Sequence, residues 1–124
     1  METLTPREEQ IMQIIWKLKK AFVKEIIAEM KEENPPYNTI SSVVRILAGK
    51  GFVDYNQYGN TYQYYPTISK ASYKKFMFSR LLQDYFDNSY KKVVSFMVED
   101  SEPNEKQIAE FEKIIKEGKK NADK

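Results

Sequence analysis

Asn38, Ser41, Ser42 and Arg45 recur at the i, i+3, i+4, i+7 spacing that puts side chains on one face of an α-helix, with Thr39 beside them. The chemistry open to this set is hydrogen bonding rather than bond breaking. An Asn amide pairs bidentately with the edge of adenine, an Arg guanidinium with guanine, and Ser or Thr hydroxyls with either base or with phosphate. Any soluble helix needs a polar face, but one that only meets water favours Glu and Lys over short serines. We therefore read Asn38, Thr39, Ser41, Ser42 and Arg45 as a candidate surface for double-stranded DNA. Lys24 and Lys50 flank this segment as candidate phosphate ligands, and Gln57 and Asn60 bound a turn that could meet backbone or minor groove.

Catalysis has little to work with. The 124 residues contain no cysteine and no histidine, which removes disulfides, thiolate nucleophiles, imidazole bases and the common zinc and copper sites together. The four glycines form no phosphate-cradling loop, and no pair of acids sits where a pKa would be strongly shifted. The expectation is a protein that is not an enzyme and holds no cofactor or metal. With 41% hydrophobic and 31% charged residues the chain reads as globular and soluble. Its first residues, Met1-Glu2-Thr3-Leu4, lack the basic start and apolar run of a secretion signal, so a cytoplasmic protein without membrane insertion is expected.

The elements that must position the polar face follow from periodicity. Thr5-Pro6-Arg7-Glu8 carries an N-cap, a proline suited to the first helical position and an acid three residues after the cap. Ile11, Ile14, Ile15 and Leu18 then form a helical stripe, with Met12 and Trp16 beside it. The same spacing returns as Val23, Ile26, Ile27 and Met30, and again as Ile40, Val43, Val44 and Leu47, the latter opened by Asn38 or Thr39 and closed by Gly49-Lys50-Gly51. Three helices this short are unstable alone and must share one core. The period then changes: residues 52–56 and 61–65 are rich in aromatic and β-branched residues, and residues 57–60 between them have the turn chemistry of a hairpin.

This order, three helices and then a hairpin, is a winged helix-turn-helix, in which the N-terminal part of the second motif helix enters the major groove. From Ser69 onward the apolar set broadens to Tyr73, Phe76, Met77, Phe78, Leu81, Leu82, Tyr85 and Phe86, more than one helix face needs. Two further short helices follow, marked by Tyr90, Val93, Val94 and Met97 and by Ile108, Phe111, Ile114 and Ile115. The expected fold class is mostly α with a small β-hairpin wing: a winged-helix DNA-binding domain over 1–67 and a three-helix dimerisation region over 68–124. Within that region Tyr73, Phe76, Met77, Leu81, Leu82, Tyr85, Phe86, Val94, Met97, Phe111 and Ile115 are the candidate dimer contacts.

The combination of Ile11-Met12-Gln13-Ile14-Ile15-Trp16, Tyr37-Asn38-Thr39-Ile40, Lys50-Gly51-Phe52-Val53-Asp54 and Tyr62-Gln63-Tyr64-Tyr65-Pro66 resembles the penicillinase-repressor family of BlaI and MecI type over nearly the whole chain. The resemblance implies a homodimeric, sequence-specific repressor on a palindromic operator, controlling antibiotic-resistance genes of β-lactamase type. It also implies inactivation by a membrane sensor protease that cuts in the C-terminal lobe before a Phe that follows an Asn. The nearest counterpart of that Asn-Phe pair is Ser95-Phe96. A copper-responsive branch uses C-terminal cysteines, which are missing here, so copper sensing is not expected. Family members usually place Arg before the Leu late in the third helix, whereas here Ile46 precedes Leu47 and the arginine is Arg45.

Charge favours a second reading, a winged-helix protein-interaction adaptor. Formal net charge is zero over residues 1–66 and +4 over residues 67–92. A DNA-binding lobe without net charge needs its cations placed locally and its acids Glu29, Glu32 and Glu33 turned away from DNA.

Overall fold

The computed structural model describes residues 1–31, 33–101 and 104–122. Those residues form, in order, α1 (Pro6–Leu18), β1 (Ala21–Phe22), α2 (Val23–Glu29), α3 (Tyr37–Gly49), β2 (Val53–Tyr58), β3 (Thr61–Pro66), α4 (Lys70–Phe86), α5 (Tyr90–Ser101) and α6 (Glu105–Ala122). They fall into two compact units, 1–78 and 79–124, so the first turns of α4 belong with the winged helix.

Thr5 and Glu8 cap α1 reciprocally. The Thr5 hydroxyl accepts the Glu8 N–H at 3.2 Å, and the Glu8 carboxylate accepts the Thr5 N–H at 2.8 Å. Two residues past α1 the chain forms β1, a strand that residue patterning does not reveal. It exists because β3 is there to pair with it, Ala21 opposite Tyr64 and Phe22 opposite Gln63, giving an antiparallel sheet of order β1-β3-β2.

The third helix starts earlier than its polar residues suggest. Pro36, with φ −59° and ψ 143°, takes the cap position, and its carbonyl accepts the N–H groups of Thr39 and Ile40 at 3.1 and 3.4 Å. Asn38 and Thr39 thus lie inside the first turn rather than capping it. The far end closes in a Schellman motif. The Phe52 N–H reaches the Leu47 carbonyl at 3.0 Å, and the Gly51 N–H reaches that of Ala48 at 3.1 Å. Gly51 has φ +81°, the left-handed conformation this motif requires. In the hairpin, Gly59 supplies the positive φ of the two-residue loop at +61°.

Ile11, Met12, Ile15, Ile26, Ile40, Val44, Leu47 and Phe52 are fully buried and form the centre of the first unit. Tyr73 joins this core at 4% exposure. Its hydroxyl accepts the Leu4 N–H at 3.0 Å, and its ring lies 5.6 Å from Phe52 and 5.8 Å from Trp16. Phe76 and Met77 pack against the same cluster. Tyr73 is therefore committed inside its own chain, and the breadth of the apolar set in α4 comes partly from this packing.

The second unit is different. Among its described residues Leu82 is the one buried apolar side chain, at 8% exposure, while Leu81, Tyr85, Tyr90, Phe96, Met97, Val98, Ile108, Ile114 and Ile115 are exposed. Helix α5 is capped by Ser89, and α6 by a reciprocal Asn104–Gln107 pair. Val94, Met97, Val98, Ile108, Phe111, Ile114 and Ile115 line an apolar groove of about 600 Å³ between these two helices.

Among the described residues Glu8 is the one buried charged side chain, at 4% exposure. The Lys50 ammonium donates to it at 2.9 Å. Burial acts to raise the Glu8 carboxyl pKa but is outweighed by the Thr5 N–H and by Lys50, so the net shift is downward. Lys50 is shifted upward by the same hydrogen bond, so its side of the pair is retained through the neutral range. A carboxyl held below its ordinary value of 4.5 contributes stability above that pH and loses it as pH falls through the folded value. We predict that Glu8→Gln lowers unfolding free energy at pH 7 by about 1–3 kcal/mol and flattens the acid limb of the stability profile. Denaturant titrations of both proteins from pH 3 to 7 check this; parallel pH profiles would contradict it.

Candidate nucleic-acid interface

With Ile40, Val44 and Leu47 turned into the core, the outward side of α3 carries Asn38, Ser42 and Arg45 in a row, flanked by Thr39 and Ile46 on one side and Ser41 on the other. All are exposed except Ser41, which is half-buried. The polar set singled out by spacing is thus brought together on one surface. The Ser42 hydroxyl donates to the Asn38 carbonyl one turn back at 2.8 Å, which leaves its oxygen lone pairs outward. Among the described residues no carboxylate is paired with Arg45. Its charge is felt at Tyr64 on β3, whose phenol is raised chiefly by burial against the opposing influence of Arg45.

The hairpin stands beside the helix, stiffened by aromatic packing. Tyr55 lies 4.6 Å from Tyr62 and 5.7 Å from Tyr64, ring centre to ring centre, and Tyr58 meets Phe22 edge-on at 5.9 Å. Gln57 and Asn60 are both exposed at its outer end, but the Gln57 amide donates to the Gly59 carbonyl at 3.1 Å and is partly engaged within the turn. Lys24, exposed at the start of α2, lines a groove of about 260 Å³ with Phe22, Val23, Glu25, Tyr37, Thr61 and Tyr62. This groove joins the beginnings of α2 and α3 to β3, so Lys24 belongs to the same surface as the polar helix face.

Lys50 is placed differently. Besides Glu8 it approaches Glu2 at 3.9 Å, and its side chain is 24% exposed. Recruiting it to a phosphate would strip Glu8 of its partner, so its position makes it a structural cation first. The sequence could not show this, because Glu8 lies 42 residues away.

The requirement set by charge is met at Glu29 and Glu33. Glu29 is bound by Lys17 at 2.8 Å, and Glu33 by Arg7 and Gln10, all on α1. Both carboxyls are lowered chiefly by those hydrogen bonds. Glu32 lies outside the described residues. Four aromatic or aliphatic side chains go beyond the polar set: Tyr37 and Ile46 on α3 and Tyr55 and Tyr58 on the hairpin are each 45–56% exposed. Ile46 had a visible signal, since it is an aliphatic residue off the buried stripe of its helix.

Since Arg45 is exposed and unpaired with any described acid, its removal should leave the fold intact. We predict that Arg45→Ala keeps the thermal midpoint within 1–2 °C by the usual smallness of surface effects and weakens binding to a specific duplex by about 1–3 kcal/mol. Anisotropy titrations of the two proteins on the duplex upstream of the gene check it; equal affinities would remove Arg45 from the reading set.

Comparison with known proteins agrees with this geometry. A family model described as penicillinase repressor matches residues 4–117. The methicillin resistance regulatory protein MecI of Staphylococcus aureus strain N315 is 25% identical over 114 residues, which cover 90% of this chain and 92% of MecI. The penicillinase repressor of Bacillus licheniformis is 22% identical over 117 residues, covering 94% and 91% of the two chains. Among solved structures, the solution structure of the DNA-binding domain of the repressor BlaI superposes with a TM-score of 0.51 and 26% identity, over 59% of this chain and 94% of that one. The chain belongs to the penicillinase repressor family, a family of DNA-binding repressors and not of enzymes.

Proposed function

We propose that this protein is a cytoplasmic transcriptional repressor that binds a palindromic DNA operator as a homodimer. The observation that carries the reading is the outward row of Asn38, Ser42 and Arg45 beside the hairpin, on a unit whose nearby acids Glu29 and Glu33 are engaged by cations of α1. Direct readout by such a face enters the major groove, with Lys24 and the outer end of the hairpin on flanking phosphates.

The dimer is supported by what the second unit leaves uncovered. An apolar groove of about 600 Å³ and a row of exposed Leu, Tyr, Phe and Ile side chains exceed the scattered apolar exposure normal on a monomer. Of the residues assigned to the interface from sequence, Leu81, Tyr85 and Met97 are exposed, Phe86, Val94 and Phe111 half-buried, Ile115 lines the groove, and Leu82 is buried. Two linked half-site contacts add to the affinity that one winged helix, whose residues 1–66 carry no net charge, reaches alone. The relatives named for methicillin resistance and penicillinase support target genes of that kind. Release by a membrane sensor protease would act at Ser95-Phe96, in the middle of α5, where both side chains are exposed and the Phe96 ring packs 5.6 Å from Phe86.

The neutral charge of residues 1–66 is the observation that favours the adaptor reading. Hydroxyl-radical footprinting separates the two: the repressor reading predicts two protected patches on one face of the duplex, about 34–36 Å apart, and the adaptor none. We further predict that Leu81→Asp, at a position 45% exposed, shifts the protein from dimer to monomer in sedimentation and lowers operator affinity at least tenfold, roughly the avidity lost with one half-site. A persistent dimer would refute this placement of the interface.

A further inference from the structure

We propose that Ile46 is a specificity-determining residue that reads the C5-methyl group of a thymine in each half-site. The inference rests on the repressor reading above and deepens it. Ile46 is 51% exposed, although every apolar residue of the Ile40, Val43, Val44, Leu47 stripe is buried or half-buried. It stands one helical turn after Ser42 and directly after Arg45, on the flank it shares with Thr39. Whatever surface receives Ser42 and Arg45 therefore receives Ile46 with them.

The major groove offers one apolar group, the thymine methyl; the other base edges present donors and acceptors. An isoleucine pressed on those polar edges would displace their water without replacing its hydrogen bonds, which penalises the wrong bases, whereas against a methyl both surfaces leave water together. Ile46 thus selects by exclusion as well as by contact. Along the helix axis it is about 1.5 Å beyond Arg45 and about 6 Å beyond Ser42, so the thymine should fall within two base pairs of the guanine that Arg45 prefers.

The test begins by selecting sites from a randomised duplex with the full-length protein and with Ile46→Ala. Wild type should enrich a fixed thymine beside a guanine in each half-site, and Ile46→Ala should keep the guanine and lose the thymine. Replacing that thymine by deoxyuridine, which removes only the methyl, should weaken wild-type binding about fourfold per half-site and leave Ile46→Ala unchanged. Selective wild-type binding indifferent to deoxyuridine, or an Ile46→Ala protein that stays sensitive to it, would overturn the assignment while sparing the repressor reading. No enrichment by wild type would overturn both.

Discussion

The angle between the polar helix and the hairpin depends on the corner at Lys50-Gly51-Phe52. Phe52 is fully buried between the helices and Tyr73, the Schellman bonds tie it to the end of α3, and the strand it begins is locked to β3. Thr67 closes the same corner from the far side, its N–H on the Phe52 carbonyl at 2.8 Å and its hydroxyl on that of Gly51 at 2.7 Å. The end of α3, the start of β2 and the residue after β3 are thereby held at one point. Only a residue tolerant of φ +81° fits the middle of it. A surface that reads bases needs its donors held to well under an ångström, and a rigid corner between α3 and the hairpin supplies that where a free loop would not.

Charge is arranged by the same economy. Residues 1–66 carry no net charge, yet several of their acids are paired in the interior or toward α1. Glu8 is taken by Thr5 and Lys50, Glu29 by Lys17, and Glu33 by Arg7 and Gln10. The surface pairs contribute little to stability, being solvent-screened. Their consequence is electrostatic direction: Glu29 and Glu33 are paired toward α1, while Arg45 is exposed on the polar helix and Lys24 shares its groove with Glu25. Net charge alone does not describe where these charges are placed, and it was the main argument for an adaptor.

Much of the fold was legible because three helices repeat one spacing and the hairpin changes period at Phe52. What escaped was set by partners distant in sequence. Two residues cannot announce a strand, and β1 is visible only through Tyr64 and Gln63 opposite it. Asn38 and Thr39 look like caps, but Pro36 turns the chain first. Lys50 looks like a phosphate ligand until Glu8 is seen beneath it, and Tyr73 looks like part of a dimer surface until its hydroxyl is found on Leu4. The polar face itself was legible because it follows from one helix and its periodicity. The exposure of Tyr55 and Tyr58 was not, since whether an apolar side chain is covered depends on the packing of the entire unit, whereas Ile46 could be seen to lie off the buried stripe of its helix.

The central claim is that this surface recognises duplex DNA by sequence. Fluorescence anisotropy of the intact protein on the duplex upstream of its gene and on a scrambled duplex, across a salt series, tests it directly. The account predicts tighter binding to the native duplex at every salt concentration, with affinity falling as salt rises for both. Equal affinity for the two duplexes, or binding indifferent to salt, would contradict it.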